Sequence, residues 1–159
     1  MFQMHRVFCA TPWEMGAERD RFYDTIGRFN ESTALSRGVL YVPVALPNTL
    51  DKRPLQSAIE ENIRDCTHYI LLLLDGWGPP ERNFRDDYYL ARQCVDDRAL
   101  PMRSVAVLAK KRPWSPPLPE GTPTPIVEFS TAAEFDECIE RLLSGWLEAC
   151  GKSASAGAP

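Results

Sequence analysis

The chain has 159 residues, which suits one domain with a full core. Its 44% hydrophobic and 25% charged residues are those of an ordinary soluble globular protein. A net charge of −4 argues against general binding to nucleic acid or to an anionic membrane, and no apolar run is long enough to span a bilayer.

The first strand is expected from about His5 to Ala10, running straight into a helix from Pro12 to about Glu31. Thr11 has the character of an N-cap, Pro12 suits the first helical position, and Glu14 completes the capping-box spacing. Met15, Phe22, Ile26 and Phe29 share one face of this helix. Ser32 to Gly38 reads as a loop, and Gly38 to Leu46 as a second strand. Pro43 removes a ladder donor, which places that strand at a sheet edge or ends it early.

Pro47-Asn48 begins a turn, and Arg53-Pro54 opens a second helix with Leu55, Ile59, Ile63 and Cys66 on its apolar face. Thr67 to Asp75 holds the unbroken run Tyr69 to Leu74, the pattern of a central parallel strand covered on both faces. It stops at the loop Asp75-Gly76-Trp77-Gly78-Pro79-Pro80. Phe84, Tyr88, Ala91 and Val95 mark a third helix, and Arg103 to Ala109 a fourth strand. A Pro-rich connection, Lys110 to Thr124, leads to a short fifth strand, Pro125 to Phe129. The last helix spans Thr131 to Cys150, with Thr131 and Glu134 again at capping-box spacing. The expected organisation is one domain, 1–150, and a disordered tail, 151–159.

Strands alternating with helices predict a mainly parallel five-stranded sheet in the order 2-1-3-4-5, with helices on both faces. In such a sheet ligands bind at the carboxyl edge, at the switch in winding direction. Thr11, Trp13, Asp75, Trp77 and Asp87 are therefore expected to border one cleft there, with Gly76 and Tyr88 as further ligand-binding candidates, although Tyr88 and Tyr89 read as core and rim aromatics rather than catalytic acids. Thr11 and the N–H groups after it suit a phosphate or ribose hydroxyl, or simply cap a helix under water. Trp13 and Trp77 offer an indole face to a base, or pack on each other as a lid. Asp75 suits a ribose hydroxyl, or forms the turn before Gly76. Lys110, Lys111 and Arg112 leave the fourth strand at the same edge, where they could meet a pyrophosphate or remain a solvated charge run.

Several chemistries lack their residues. No G-x-G-x-x-G and no G-x-x-x-x-G-K-[ST] is present. His5 and His68 are too few and too isolated for a metal site, and no Ser–His or Cys–His pair is suggested by spacing. No cofactor is expected. Cys9, Cys66, Cys94, Cys138 and Cys150 stand far apart and read as reduced, mostly buried thiols of a cytoplasmic protein.

Val7-Phe8-Cys9-Ala10-Thr11 followed by Glu18-Arg19-Asp20 resembles the "VF-S-ST … ER(D)" opening of a TIR-like family of unknown function. The resemblance continues through the apolar third strand and its Gly loop to Asp87-Tyr88-Tyr89-Leu90-Ala91, and into the closing helix at Phe135, Leu143 and Trp146-Leu147. It implies a three-layer flavodoxin/TIR-like fold. Members often stand at the N-terminus of large regulatory proteins. The wider group includes TIR domains and nucleoside deoxyribosyltransferases, several of which cleave an N-glycosidic bond with a glutamate near the helix after the third strand.

Two departures bear on activity. Cys9-Ala10 replaces the usual Ser-Ser, and Asp86 or Asp87 stands where the enzymes carry Glu; Asp87, ahead of Tyr88, is the better match. The first expectation is a signalling or protein-interaction domain that takes a nucleotide- or NAD-like small molecule or a protein partner. The alternative is an N-glycosidic hydrolase or transferase with Asp87 stabilising or trapping oxocarbenium charge.

Overall fold

The structure is a computed structural model that describes residues 2–45, 56–78 and 80–156. Five strands, β1 (Gln3–Ala10), β2 (Val39–Val44), β3 (His68–Leu73), β4 (Ser104–Lys110) and β5 (Ile126–Phe129), form one sheet in the order β2-β1-β3-β4-β5. Every ladder is parallel. Among the described residues α1 (Gly16–Phe29), α2 (Gln56–Asp65) and α3 (Phe84–Asp96) connect the first four strands, and α4 (Ala132–Ala156) follows β5. The expected fold class and strand order are those observed. The turn at Pro47-Asn48 and the helix opening at Arg53-Pro54 lie outside the described residues.

All six residues of β3 are buried. The pleat sends Ile70 and Leu72 into one hydrophobic layer and Tyr69, Leu71 and Leu73 into the other. The first layer is closed by Phe22 and Ile26 of α1 and by Phe135, Ile139 and Leu143 of α4. The second is closed by Ile63 of α2 and by Phe84, Tyr88 and Ala91 of α3. Two-sided cover explains why the β3 sequence shows no polar alternation. Arg21 fixes α1 to α4 through a two-pronged contact with Asp136, at 3.0 Å from Nε and 2.5 Å from Nη2.

The edge strand β2 is sealed by side chains of the first helical segment. Asn30 Nδ2 donates to the Tyr41 carbonyl at 2.9 Å, and the Tyr41 N–H donates to Asn30 Oδ1 at 2.9 Å. The Ala45 N–H donates to the Tyr23 hydroxyl at 3.0 Å. Tyr41 and Ala45 thus turn their polar groups away from β1, and by the two-residue period Pro43 between them does the same. Its missing donor therefore removes no ladder bond, which is how a proline sits inside the strand.

Holding Asn30 against β2 also changes the expected helix end. Helical structure does not stop near Glu31; it widens to a π-helical stretch at Asn30–Ala34 and tightens at Leu35–Arg37. The segment expected as a loop is helical, and the chain turns only at Gly38, whose φ of 75° is left-handed. The start of the helix also differs. Pro12 has ψ 145°, an extended value, so the first turn is a short 3-10 segment, Trp13–Met15, and α1 begins at Gly16. Thr11 caps nothing, because its hydroxyl turns back to the Cys9 carbonyl at 3.3 Å. At the second site Thr131 does cap its helix, and the Glu134 carboxylate reaches one residue beyond the cap. The Glu134 N–H donates to Thr131 Oγ1 at 3.1 Å, and Glu134 Oε2 accepts from the Ser130 N–H at 2.8 Å. The helix it opens runs through Gly151 to Ala156, into the stretch whose composition suggested a disordered tail. No helix among the described residues is long and apolar enough to cross a membrane.

At the amino edge, His68 stacks on Trp146 with centroids 3.9 Å apart and planes 2° from parallel, and its Nδ1 lies 2.6 Å from Ser104 Oγ. Burial, then the His5 and Arg103 charges, push the His68 pKa down to about 3. The folded state therefore keeps this ring neutral while the unfolded chain binds a proton near the ordinary value of 6.5. Stability from this residue is complete above that value and is lost as pH falls toward about 3. Thermal unfolding should show a melting temperature that drops through this window, and His68→Phe should flatten the drop. On the neighbouring edge strand β2, Asn30→Ala leaves a buried N–H and a buried carbonyl of Tyr41 without partners. Urea unfolding should show a loss of about 2 kcal/mol or more.

Candidate functional site

The carboxyl ends of β1 and β3 flank the switch in winding direction, where the sequence placed the cleft. A depression exists there, lined by Pro12, Glu14, Leu74, Gly76, Trp77 and Arg82 among others, but its volume is about 30 Å³. That is water-sized space, far below a nucleotide base with its ribose. Two contacts close it. Arg82 donates from Nη1 to Glu14 Oε2 at 2.8 Å, and its guanidinium carbon lies 5.6 Å from the centre of the Trp13 ring. Trp77 tilts against Tyr88 and Tyr89, at 5.5 and 6.3 Å between centroids, rather than against Trp13. The lid expected from a Trp13–Trp77 pair is thus an Arg82 clamp on one side and an aromatic cluster on the other.

The remaining residues of the expected cleft separate. Thr11 is buried with its hydroxyl on Cys9. Trp13 is 51% exposed on the rim. Tyr88 is fully buried, and its hydroxyl donates to Thr124 Oγ1 at 2.6 Å while accepting from the Thr124 N–H at 3.1 Å. It anchors the end of the Pro-rich connection to α3 instead of meeting a ligand. Asp87 is only 4% exposed, and Oδ1 accepts from Gln56 Nε2 at 2.7 Å. Gln56 is held in turn by Asn83, whose left-handed φ of 57° starts α3. The Tyr69 phenol is pushed well above its ordinary range by burial first and by the Asp87 charge second. The Asp87 carboxylate therefore belongs to the packed layer between α2, α3 and the sheet.

The larger space at this edge lies one strand over. A pocket of about 280 Å³ spans the ends of β3 and β4 under the Pro-rich connection. Lys110, Lys111 and Arg112 supply its charge, and Leu73, Pro116 and Leu118 part of its apolar wall. Gly76, with φ 57°, lines both this pocket and the closed depression, so the Asp75-Gly76 turn is the partition between them. Lys110 is 2.5 Å from Glu18 and Lys111 3.7 Å from Glu128, and Arg112 meets Asp75. Arg112 also donates to the Leu74 carbonyl at 3.2 Å, while its Nε is buried with no acceptor.

No family model and no curated protein sequence matches the chain. Among solved structures the chain is similar to a flavoprotein from Thermotoga maritima, at 15% identity and a TM-score of 0.50. The superposition covers 91% of this chain and 36% of that one, so the chain spans about a third of the flavoprotein's length. The fold is flavodoxin-like. At this identity the likeness concerns architecture.

The flavodoxin-like arrangement also brings together residues that spacing kept apart. At the amino edge, Cys150 Sγ lies 3.8 Å from His5 Nε2 and 3.3 Å from Arg103 Nη1, beside a 440 Å³ groove. His5 and Cys150 are 145 positions apart, so only the packing of α4 against β1 reveals the pair. No group of three metal-ligating side chains occurs among the described residues. Cys9, Cys66 and Cys94 are buried, and burial pushes the Cys9 and Cys66 thiols up to about 12.

The clamp over the closed depression is open to test. Burial raises the Glu14 carboxyl, but hydrogen bonding and charge from Arg82 outweigh it and hold it below the ordinary carboxylate value. The ion pair is thus present at neutral pH and is lost as pH falls through that lowered value. Arg82→Ala should speed hydrogen exchange at the Met15 amide, which donates to the Pro12 carbonyl at 2.9 Å, without changing exchange in β3. Global stability should change by less than about 1 kcal/mol, since the pair is part-exposed.

Proposed function

We propose that this chain is a TIR-like signalling or protein-interaction domain that takes a small nucleotide-like ligand at the carboxyl edge of its sheet and does not turn it over. The observation that carries this reading is the state of Asp87. A glycosidic carboxylate must face the anomeric carbon in a space that holds the sugar. Asp87 instead lies in a packed layer with Oδ1 engaged by Gln56, and it does not line the water-sized depression. The resemblance to the TIR-like family supports the interaction role, as do the replacement of Ser-Ser by Cys9-Ala10 and the indoles of Trp13 and Trp114, 51% and 75% exposed. Unpaired thiols fit a reducing, cytoplasmic setting.

The alternative is an N-glycosidic hydrolase or transferase. One observation favours it: Asp87 lies in the first turn of the helix that follows the third strand, where the enzymes of the resembling group carry glutamate. The two readings separate by incubation of the protein with NAD and with deoxynucleosides, followed by chromatography for free base. The interaction reading expects no base above the protein-free blank. Release that disappears in Asp87→Ala would establish the enzyme instead.

A further inference from the structure

We propose that the 280 Å³ pocket over β3 and β4 is a binding site for a small organic phosphate monoester, with Arg112 as its anchor and Asp75 as a built-in competitor. The proposal deepens the ligand-binding part of the reading above by naming the place and the chemical class.

Three cations reach this pocket from consecutive positions because β4 ends there. Lys110 is the last strand residue, Lys111 donates its N–H to the Phe129 carbonyl at 2.7 Å, and Arg112 opens the turn closed by the Ser115 N–H. The backbone thus holds the start of the basic run in the sheet ladder. A phosphate dianion suits a guanidinium fork flanked by ammonium groups better than it suits isolated lysines. The opposite wall, with Leu73, Pro116 and Leu118, suits the apolar body of an ester.

Each cation already has a carboxylate neighbour, and the one on Arg112 is the easiest to displace. The Arg112 side chain is 24% exposed whereas that of Asp75 is 62% exposed. Asp75 can leave Arg112 for water with little loss, while the guanidinium stays in place through its bond to the Leu74 carbonyl. Arg112 Nε, buried and without an acceptor, is a donor the resting protein leaves unused. A phosphate oxygen that replaces the Asp75 carboxylate and also reaches Nε would satisfy it. Asp75 adjoins Gly76, which lines this pocket, so its displacement can be read at the Gly76 amide.

The test is a titration of the intact chain with phenyl phosphate, inorganic phosphate and benzoate at matched ionic strength. The readouts are the NMR shifts of the Arg112 Nε–H and the Gly76 amide. Saturable shifts are expected, with phenyl phosphate tighter than inorganic phosphate and tighter than benzoate. Asp75→Asn should tighten phenyl phosphate up to about 5-fold by removing the competitor. Arg112→Ala should weaken it about 10-fold or more, and Arg112→Lys should restore little because the fork is lost. Linear, non-saturating shifts would overturn the site, as would an unchanged affinity in both Arg112 variants. Benzoate binding as tightly as phenyl phosphate would overturn the phosphate class. Weaker binding in Asp75→Asn would overturn the competitor role. Base release plays no part in these measurements, so failure here leaves the interaction reading standing, and base release from NAD leaves the pocket standing.

Discussion

The structure depends on the double burial of β3. A strand covered on both faces has no solvent to satisfy its backbone, so its polar groups must pair with a neighbouring strand on each side. β1 and β4 supply those ladders in parallel register, which requires crossovers; the crossover helices cover the two faces, and α4, after the last strand, completes the cover on the α1 side. Central apolar strand, parallel sheet and three-layer architecture are therefore one constraint seen at three scales. The same constraint puts the loops after β1, β3 and β4 on one edge, which is why any ligand chemistry of this fold gathers there.

That edge is divided rather than shared. The Asp75-Gly76 turn separates a closed depression from a basic pocket, and the two have opposite character. On the β1 side Arg82 is used up by Glu14 and Trp13, and aromatic rings fill the space beyond. On the β4 side the cations surround open volume. Topology decides where these loops meet, and side-chain volume decides how much space is left between them.

The sequence carried the architecture well, because hydrophobic period and strand-helix alternation are repeated signals. Tyr69 to Leu74 announced the central strand, and Pro43 announced an edge. Single-residue readings were less secure. Thr131 caps the Glu134 N–H, while Thr11, at the same spacing from Glu14, caps nothing. The difference is Pro12, whose extended ψ delays the helix and frees Glu14 to meet Arg82. The long helical run to Arg37 was hidden because its cause, the pairing of Asn30 with Tyr41, is tertiary. Burial of Asp87 by Gln56 and the approach of Cys150 to His5 were hidden for the same reason.

The side chains that seal β2 have a consequence for how copies of this sheet can meet. Sheet edges act as sticky ends, and a domain with two of them can polymerise head to tail. Asn30 and Tyr23 occupy the outward groups of Tyr41 and Ala45, and Pro43 offers no donor between them. A further strand could pair with β2 at these positions only by first displacing Asn30 and Tyr23, and it would still find no donor at Pro43.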